Sequence, residues 1–400
     1  PPVKFAFMLV GSEGRREQTL KTDQDNAIVF EDVPAGQLEE TQRFFLRLGE
    51  IVSDWLNEIG FAYCDFDIMA RNPDWCQPLG TWKDSFYRWI RAAEPETEEV
   101  PGVVIDHSPA SSGEYIGSPS LAVLPDGTYV ASHDFFGPKA GHQERATTAV
   151  FRSTDRGRKW EQISTIDGQF WSTLFVHRGD LYIIGPMSQY GPLIIRRSTD
   201  GGRTWTEPKD ASHGLLRQGR WHTAPVPVKK HDGRLWRGVE KVVGDRGWPR
   251  HFRAAVISAP VDADLLKADN WRASEPLPFR DQWMTERLKG WLEGNVVVTP
   301  DGHVVNMLRV HNASLAAIVH VGPEGRELSF DPGKDLVRFP GGATKFTIRH
   351  DAESGLYWTL SNPVLERHAG SSPASTRNAM VLMSSPNMRD WTPRSVVVYP

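Results

Sequence analysis

Apolar and polar positions follow different periods in the two parts of this chain. In residues 1–92, the apolar runs VKFAFMLV and NAIVF predict strands. Between Gln37 and Ile59, apolar residues recur at spacings of three, four and seven, which predicts one face of a long helix. The stretch PLGTWKDSFYRWIRAA predicts a second helix. Residues 1–92 are therefore predicted to form a mixed α/β domain.

The pattern changes after an acidic segment at residues 93–102, which contains two prolines and predicts a linker. In residues 103–400, short alternating strands are broken by turns such as LPDGTYV and TPDGHVV, whose Asp-Gly pairs are typical of hairpins. Blocks of about four strand-like runs cover residues 115–165, 167–210, 220–277, 291–332 and 343–399. Blocks of this kind predict the blades of a mainly-β propeller, so the expected chain is multidomain with five blades present.

One sequence motif recurs at the spacing of these blocks. RSTDRGRKW and RSTDGGRTW begin 45 residues apart and fit S-x-D-x-G-x-x-W at 153–160 and 198–205. The Ser and Asp side chains suit hydrogen bonds within a turn, the Gly tolerates a positive φ, and the Trp can fill space between sheets. A degenerate copy of the motif, SSPNMRDW, occurs at 384–391. This motif resembles the Asp box, or BNR repeat, and residues 103–400 therefore resemble the sialidase superfamily.

The resemblance implies a glycan site at the propeller axis, on the face opposite the Asp boxes. Sialidases hold a sugar carboxylate with three arginines and use an Asp acid/base and a Tyr nucleophile paired with a Glu. LEGNVVVTPDGHVVNMLRV matches the segment carrying the Glu and one Arg, here Glu293 and Arg309. Asp134 is the acid/base candidate, and Glu240 is a further catalytic candidate. The substrate-binding candidates are Arg220, His222 and Lys345.

The match to a true sialidase is incomplete. The chain has GSP at 117–119 where the family has R-I-P, and the Tyr nucleophile would lie in a sixth blade. We therefore expect a glycoside hydrolase with another sugar specificity, or a glycan-binding propeller without catalysis. A purely structural ion pair is the alternative for Glu293 and Arg309. A metal site from His133, His142 and His222 is an alternative that no spacing supports.

The first region carries a different chemistry. GSEGRREQTLKTDQDNA places Gly11 and Ser12 at the end of one strand, and Asp23 and Asp25 at the mouth of the next. Two carboxylates on alternate positions of a strand point to one side, which suits Mg²⁺ and nucleotide phosphates. The segment resembles the polymerase-β-like nucleotidyltransferase domain of bacterial CBS-domain signalling proteins related to PII uridylyltransferases. That resemblance implies that Gly11, Ser12 and Arg15 contact nucleotide, while Asp23 and Asp25 hold metal.

The resemblance also implies a third carboxylate after the helix ending near Ile90, where the acidic linker begins instead. We therefore expect an incomplete nucleotidyltransferase domain, because the metal site would lack a ligand. Each region lacks the end that would complete its expected site, and the chain does not begin with Met. These observations favour a chimeric gene fragment of bacterial, metagenomic origin. The alternative is a real fusion, in which the propeller is a recognition module for a nucleotidyltransferase.

Composition narrows the expected partners. The net charge is −4 and the isoelectric point is about 6.4, so no basic field favours nucleic acid. No apolar run approaches the length needed to span a membrane. A glycan or glycoconjugate is the expected partner, with a nucleoside triphosphate if the first region is active. Without a signal peptide the expected location is cytoplasmic, although sialidase-like propellers are often exported.

Overall fold

The computed structural model describes residues 1–9, 23–64, 67–91, 102–244, 247–283 and 290–399. The chain divides into two compact units, Pro1–Glu99 and Val100–Pro400. The nucleotide-binding candidates Gly11, Ser12 and Arg15 lie outside the described residues. Within the described ranges, no helix combines the length and apolar character that a membrane crossing requires.

The first unit is built from α-helices and β-strands. Its helices are α1 Ala35–Glu58 and α2 Leu79–Arg91, and its strands are β1 Phe5–Leu9, β2 Asp23–Gln24, β3 Asn26–Phe30, β4 Ala62–Tyr63 and β5 Cys76–Pro78. Strand β3 pairs antiparallel with β1 and parallel with β5. Strands β2 and β4 form a separate parallel pair.

Helix α1 packs along a line of small and apolar side chains. The buried residues on this line are Thr41, Phe45, Gly49 and Ser53, at spacings of four. A Cβ at Gly49 would lie 2.3 Å from the backbone oxygen of Ala70, so this close approach requires glycine. Trp55 and Ile59, on the helical face that the sequence pattern predicts, are 64% and 74% exposed. The buried stripe is therefore narrower than the apolar spacing indicates.

The described part of the second unit contains five antiparallel sheets in chain order. Sheet 1 contains β6 Tyr115–Val123, β7 Tyr129–Phe136, β8 Thr147–Ser153 and β9 Glu161–Asp167. Sheet 2 contains β10 Thr173–His177, β11 Asp180–Pro186, β12 Leu193–Ser198 and β13 Leu215–Arg217. Sheet 3 contains β14 Trp221–His222, β15 Lys229–His231, β16 Arg234–Val242, β17 Phe252–Pro260, β18 Arg272–Ala273 and β19 Leu277–Pro278.

The remaining strands complete the series. Sheet 4 contains β20 Trp291–Val298, β21 Val304–Val310, β22 Leu315–Val321, β23 Leu328–Ser329 and β24 Leu336–Arg338. Sheet 5 contains β25 Thr347–Asp351, β26 Leu356–Ser361, β27 Met380–Ser385 and β28 Thr392–Val398. The predicted mainly-β character, with many antiparallel sheets, is confirmed. The number of blades that closes the ring stays a prediction.

Each sheet shares an apolar cluster with the next sheet along the chain. Buried residues from consecutive sheets that share a cluster are Val150 and Ile183, Ile195 and Ile257, Val256 and Val296, and Met307 and Tyr357. Burial of apolar surface stabilises such interfaces by roughly 25 cal/mol per Å². Strand β6 contacts β10, β16 contacts β20, and β20 contacts β25. The inner edges of these sheets therefore lie beside one another, which brings the ends of their strands together.

The two repeated turns have the same internal hydrogen bonds. In the first, the Ser153 hydroxyl donates to Asp155 Oδ1 and accepts from the Gly157 N–H, both at 2.8 Å. The turn at 198–205 repeats both bonds at the same distances. Its Trp205 packs against the cluster between sheets 1 and 2, so this turn is tied to the core.

Candidate active site

Sheets 1 and 4 share a backbone irregularity at the inner end of their first strand. The pairing register shifts between Leu292 and Asn295 in sheet 4, where Glu293 has a φ of 59°. It shifts between Gly117 and Ser120 in sheet 1, where Ser118 has a φ of 53°. Non-glycine residues rarely adopt positive φ, and such strain is concentrated at functional sites. The two bulges therefore mark a common end of the sheets as a candidate site.

Two predicted catalytic side chains lie on the strands beside these bulges. Asp134 on β7 is the register partner of Gly117, and Arg309 on β21 is the register partner of Leu292. The two residues therefore occupy equivalent positions on the second strands of sheets 1 and 4. Strand pairing fixes both of them independently of any loop.

Glu293 lies in a network of positive groups. Arg309 Nη1 donates to Glu293 Oε2 at 2.8 Å, and Lys345 Nζ lies 3.6 Å from Glu293 Oε1. Arg309 Nε also donates to the backbone oxygen of Ala343 at 2.7 Å. Burial opposes ionisation of Glu293, but the charges of Lys345, Arg309 and His222 outweigh it and lower its pKa to about 2. Glu293 is therefore a carboxylate at neutral pH.

Asp134 has the opposite electrostatic environment. Its side chain is buried, its Oδ1 accepts from Thr148 Oγ1 at 2.6 Å, and its Oδ2 accepts from the Trp171 N–H at 2.6 Å. Burial raises the pKa of Asp134 to about 7, although both hydrogen bonds and the charge of Lys345 act in the other direction. Near neutral pH this carboxyl can therefore either donate or accept a proton.

His222 and Glu240 form a buried pair in sheet 3. His222 Nδ1 lies 2.7 Å from Glu240 Oε2, and the two residues are 2% and 0% exposed. The other oxygen, Glu240 Oε1, accepts from the Gly294 N–H at 3.0 Å. This bond joins sheet 3 to the bulge that carries Glu293. Both oxygens of Glu240 are therefore engaged by the protein itself.

Aromatic rings lie beside these charged groups. The ring centroid of His222 is 4.5 Å from that of Trp171 and 6.2 Å from that of Tyr190. Trp248 is 46% exposed, and the Arg309 guanidinium lies 5.8 Å from its ring centroid. These three aromatic residues could not be predicted from the sequence, because single rings in loops follow no spacing. We call the group formed by Asp134, Glu240, His222, Glu293, Arg309, Lys345 and these aromatic residues the hub.

Two arginines lie near the hub. Arg220 is exposed, and its guanidinium is 5.7 Å from the Tyr190 ring centroid. This predicted substrate-binding residue therefore lies at the edge of the hub. Burial and the charge of Arg309 lower the pKa of Arg377, while Glu293 opposes the shift. Arg377 therefore lies within electrostatic reach of that ion pair. Arg377 could not be predicted from the sequence, because the loop that carries it has no motif.

The predicted placement of Asp23 and Asp25 on one strand is wrong, whereas their role as metal ligands stays a prediction. Strand β2 ends at Gln24, and Asp25 lies between β2 and β3. Gln24 and Asn26 are buried, and hydrogen bonds of 2.9 Å and 2.8 Å join their side chains to backbone atoms of Ser53 and Ala70. The chain therefore changes its pairing partner at Asp25. For Asp23, the backbone alone is described.

Within the described ranges, no three His, Cys, Asp or Glu side chains lie together in a group that could hold a metal ion. The alternative site from His133, His142 and His222 is therefore not assembled. His133 Nε2 instead lies 2.7 Å from Asp106 Oδ2. In the first unit, the carboxylates that the resemblance implies for Mg²⁺ are at residues 23 and 25.

A known family model matches most of the first unit. Residues 1–96 match the family described as "Putative nucleotidyltransferase DUF294". This match confirms the resemblance that the sequence shows over residues 1–92. No curated protein sequence matches the chain.

Solved structures similar to the chain include a sialidase, an arabinanase and an arabinofuranosidase. A Hadza microbial sialidase has 17% sequence identity and a TM-score of 0.44, and the match covers 69% of this chain and 57% of the sialidase. An α-L-arabinanase of Penicillium chrysogenum has 14% identity and a TM-score of 0.42, over 70% of this chain and 80% of the other. A variant of the Fusarium graminearum α-L-arabinofuranosidase Arb93A has 12% identity and a TM-score of 0.46, with the same coverages.

Proposed function

We propose that residues 103–400 form a sialidase-like propeller whose hub binds a glycan and hydrolyses a glycosidic bond. The observation that most supports this proposal is a pair of buried carboxyls whose pKa values are shifted in opposite directions. Asp134 has a pKa of about 7, whereas Glu293 has a pKa of about 2. Lys345 acts electrostatically on both. Most glycosidases use one proton-donating carboxyl and one ionised carboxylate, and environments that separate two pKa values assign those roles.

The proposed roles follow from the contacts. Asp134 is the acid/base, because its proton is exchangeable at neutral pH. Glu293 stabilises positive charge that develops on the sugar, with its own position fixed by Arg309. Glu240 is a positioning residue, because both its oxygens hold protein groups, His222 and the Gly294 N–H.

Substrate contacts are proposed for four residues of the hub and its edge. Lys345 and Arg220 supply positive charge, His222 supplies a polar contact, and Trp248 offers a ring face against which a sugar can pack. Gly117 stands at the position of the arginine in the R-I-P motif of sialidases, which argues against sialic acid as the substrate. The proposed substrate is therefore a glycan other than a sialoside.

We also propose that the closed ring has six blades, with a further sheet between sheets 5 and 1. The support is apolar exposure on the first and last described sheets. Leu121 and Val123 of sheet 1 are 52% and 51% exposed. Leu360 and Val396 of sheet 5 are 44% and 53% exposed. Exposed apolar side chains on sheets are often covered by another element.

A panel of fluorogenic glycosides tests the hydrolase proposal. With a substrate that the wild type cleaves, we expect Asp134→Asn and Glu293→Gln each to lower kcat by about 10²–10⁴-fold. Glu161→Gln, an exposed carboxylate of sheet 1, is the matched control and should keep full turnover. Circular dichroism and glycan-array binding establish that each variant is folded and still binds.

The results separate three readings of the hub. Turnover that survives in both folded variants refutes the catalytic assignment. Absence of turnover with array binding that Trp248→Ala abolishes supports a binding propeller instead. Absence of both turnover and glycan binding in the folded wild type refutes the glycan proposal, and then the Glu293–Arg309 pair is structural.

A second candidate function belongs to the first unit, and the family match over residues 1–96 favours it. We propose that Asp23 and Asp25 bind Mg²⁺ with a nucleoside triphosphate. Calorimetry with ATP or UTP should show binding that depends on Mg²⁺ and is lost in Asp23→Ala and Asp25→Ala. Glu40→Ala, on the exposed side of α1, is the control. Binding that none of these changes affects contradicts the metal assignment.

A further inference from the structure

We infer that a cavity at sheet 3, separate from the hub residues, is a binding site for an oxyanion. The cavity has a volume of about 550 Å³ and is lined by four arginines and one carboxylate. Those charged residues are Arg217, Arg234, Arg272, Arg326 and Asp269. None of them belongs to the proposed hydrolase machinery, so this inference stands independently of the proposed function.

The charge at this cavity is unusual for the protein. The whole chain carries a net charge of −4, yet four guanidinium groups face a cavity with Asp269 as its lining carboxylate. Outside the lining, Glu324 compensates one of them, because its Oε2 lies 2.8 Å from Arg272 Nη1. The cavity therefore keeps an excess of positive charge after its neighbours are counted. Like charges held together are unfavourable unless an anion joins them.

Two of the guanidinium groups are held in place by the protein. Arg217 Nη1 donates to the backbone oxygen of Leu216 at 2.8 Å, and its Nη2 donates to that of Trp271. Arg234 donates to the hydroxyl and backbone oxygens of Ser258, each at 3.1 Å. These bonds use Nε and Nη2 of Arg234, and in the described part of the chain its Nη1 makes no hydrogen bond. A donor of a fixed guanidinium therefore remains for a ligand.

The electrostatic environment agrees with this geometry. Burial lowers the pKa of Arg234 and the nearby charge of Arg272 lowers it further, while the charge of Glu324 opposes the shift without cancelling it. Both effects express the cost of holding this cation without a full counter-charge, and a bound anion would reverse them. Arg326 is exposed, and in the described ranges its guanidinium forms no ion pair, so it is free to close on a ligand from the side of sheet 4.

The chemistry of the cavity defines the ligand class. Guanidinium groups bind sulfate, phosphate and carboxylate oxygens through paired, charge-assisted hydrogen bonds. A volume of about 550 Å³ accommodates a sugar-sized molecule as well as an inorganic ion. The shared chemistry is an oxyanion, carried either by a free inorganic ion or by an acidic sugar.

Isothermal titration calorimetry at constant ionic strength tests the site with four probes. The probes are inorganic sulfate, inorganic phosphate, a sulfated disaccharide and an uncharged disaccharide. We expect at least one oxyanion to bind saturably and the uncharged sugar not to bind at this cavity. Tighter binding of the sulfated disaccharide than of both ions assigns the site to an acidic sugar, and the reverse order assigns it to a free ion.

Three variants locate the binding. Arg326→Gln removes an exposed guanidinium without removing a structural bond, and should weaken binding about tenfold. Asp269→Asn removes the lining carboxylate and should tighten binding. Arg338→Gln, an exposed arginine of β24 outside the cavity lining, is the matched control and should leave the Kd unchanged.

Loss of binding in Arg326→Gln, a gain in Asp269→Asn and no change in Arg338→Gln together support the site. The inference is overturned if no oxyanion binds saturably to the folded protein. It is equally overturned if Arg338→Gln weakens binding as much as Arg326→Gln, because binding would then follow total charge.

Discussion

The raised pKa of Asp134 makes the free energy of unfolding depend on pH. Its pKa is about 7 in the folded protein against an ordinary value of 3.8. Since the folded-state value is the higher one, the stability that this group contributes is present at low pH and is lost as pH rises from about 4 to about 7. A full shift of this size corresponds to roughly 4 kcal/mol.

Asp134→Asn isolates this effect because the amide imitates the protonated carboxyl. The Asn oxygen can accept from the Trp171 N–H, as Asp134 Oδ2 does at 2.6 Å. Its amide can donate to Thr148 Oγ1, whose own hydrogen then serves the Gln169 carbonyl at 2.9 Å. Between about pH 5.5 and about pH 8.5, the wild type should lose roughly 2 kcal/mol of unfolding free energy relative to the variant.

Urea unfolding at both pH values, followed by tryptophan fluorescence, measures this difference. Eleven of the fifteen tryptophans lie in residues 100–400, so the signal reports mainly on the second unit. Comparison with the variant cancels the titration of every other group. A difference between the two proteins that is the same at both pH values would refute the reasoning, because Asp134 would then be ionised throughout.

Three other perturbations test the packing that supports the site. Gly49→Ala should destabilise the first unit by about 1–3 kcal/mol, because its Cβ would meet the Ala70 backbone; a melting temperature equal to that of the wild type contradicts this packing. Ser153→Ala should cost about 1 kcal/mol in urea unfolding by removing the hydrogen bond to the Gly157 N–H, and no loss would show that the turn does not depend on it. Leu121→Lys should make the protein more monodisperse in light scattering, since it charges an exposed apolar strand; unchanged aggregation would show that this face is not the associating surface.

The sequence identified the parts of the hub that lie on paired strands. Glu293 and Arg309 flank a hairpin turn, so strand pairing brings them to the same end of the sheet, where they form an ion pair of 2.8 Å. Asp134 likewise lies on a paired strand of sheet 1, where its register partner is Gly117. The pKa values of Glu293 and Asp134 could not be predicted from the sequence. They depend on burial and on the charge of Lys345, which lies in the connection between sheets 4 and 5.

Loop residues of the site escaped prediction for a different reason. Trp248 and Arg377 lie outside the strands, in segments whose position depends on tertiary packing rather than on any period of the sequence. The error at Asp25 has a similar origin, since alternation along the chain does not reveal that β2 and β3 belong to different pairings. Spacing therefore predicts residues on regular elements, and it fails where the chain changes partner.

The pH dependence of kcat/KM for a cleaved glycoside tests the central claim most directly. If Asp134 is the acid and Glu293 remains ionised, activity should be constant at mildly acidic pH and fall above an apparent pKa near 7. The residual activity of Asp134→Asn should lack that alkaline decline. A wild-type activity that rises through pH 7, or an unchanged decline in Asp134→Asn, would contradict the account.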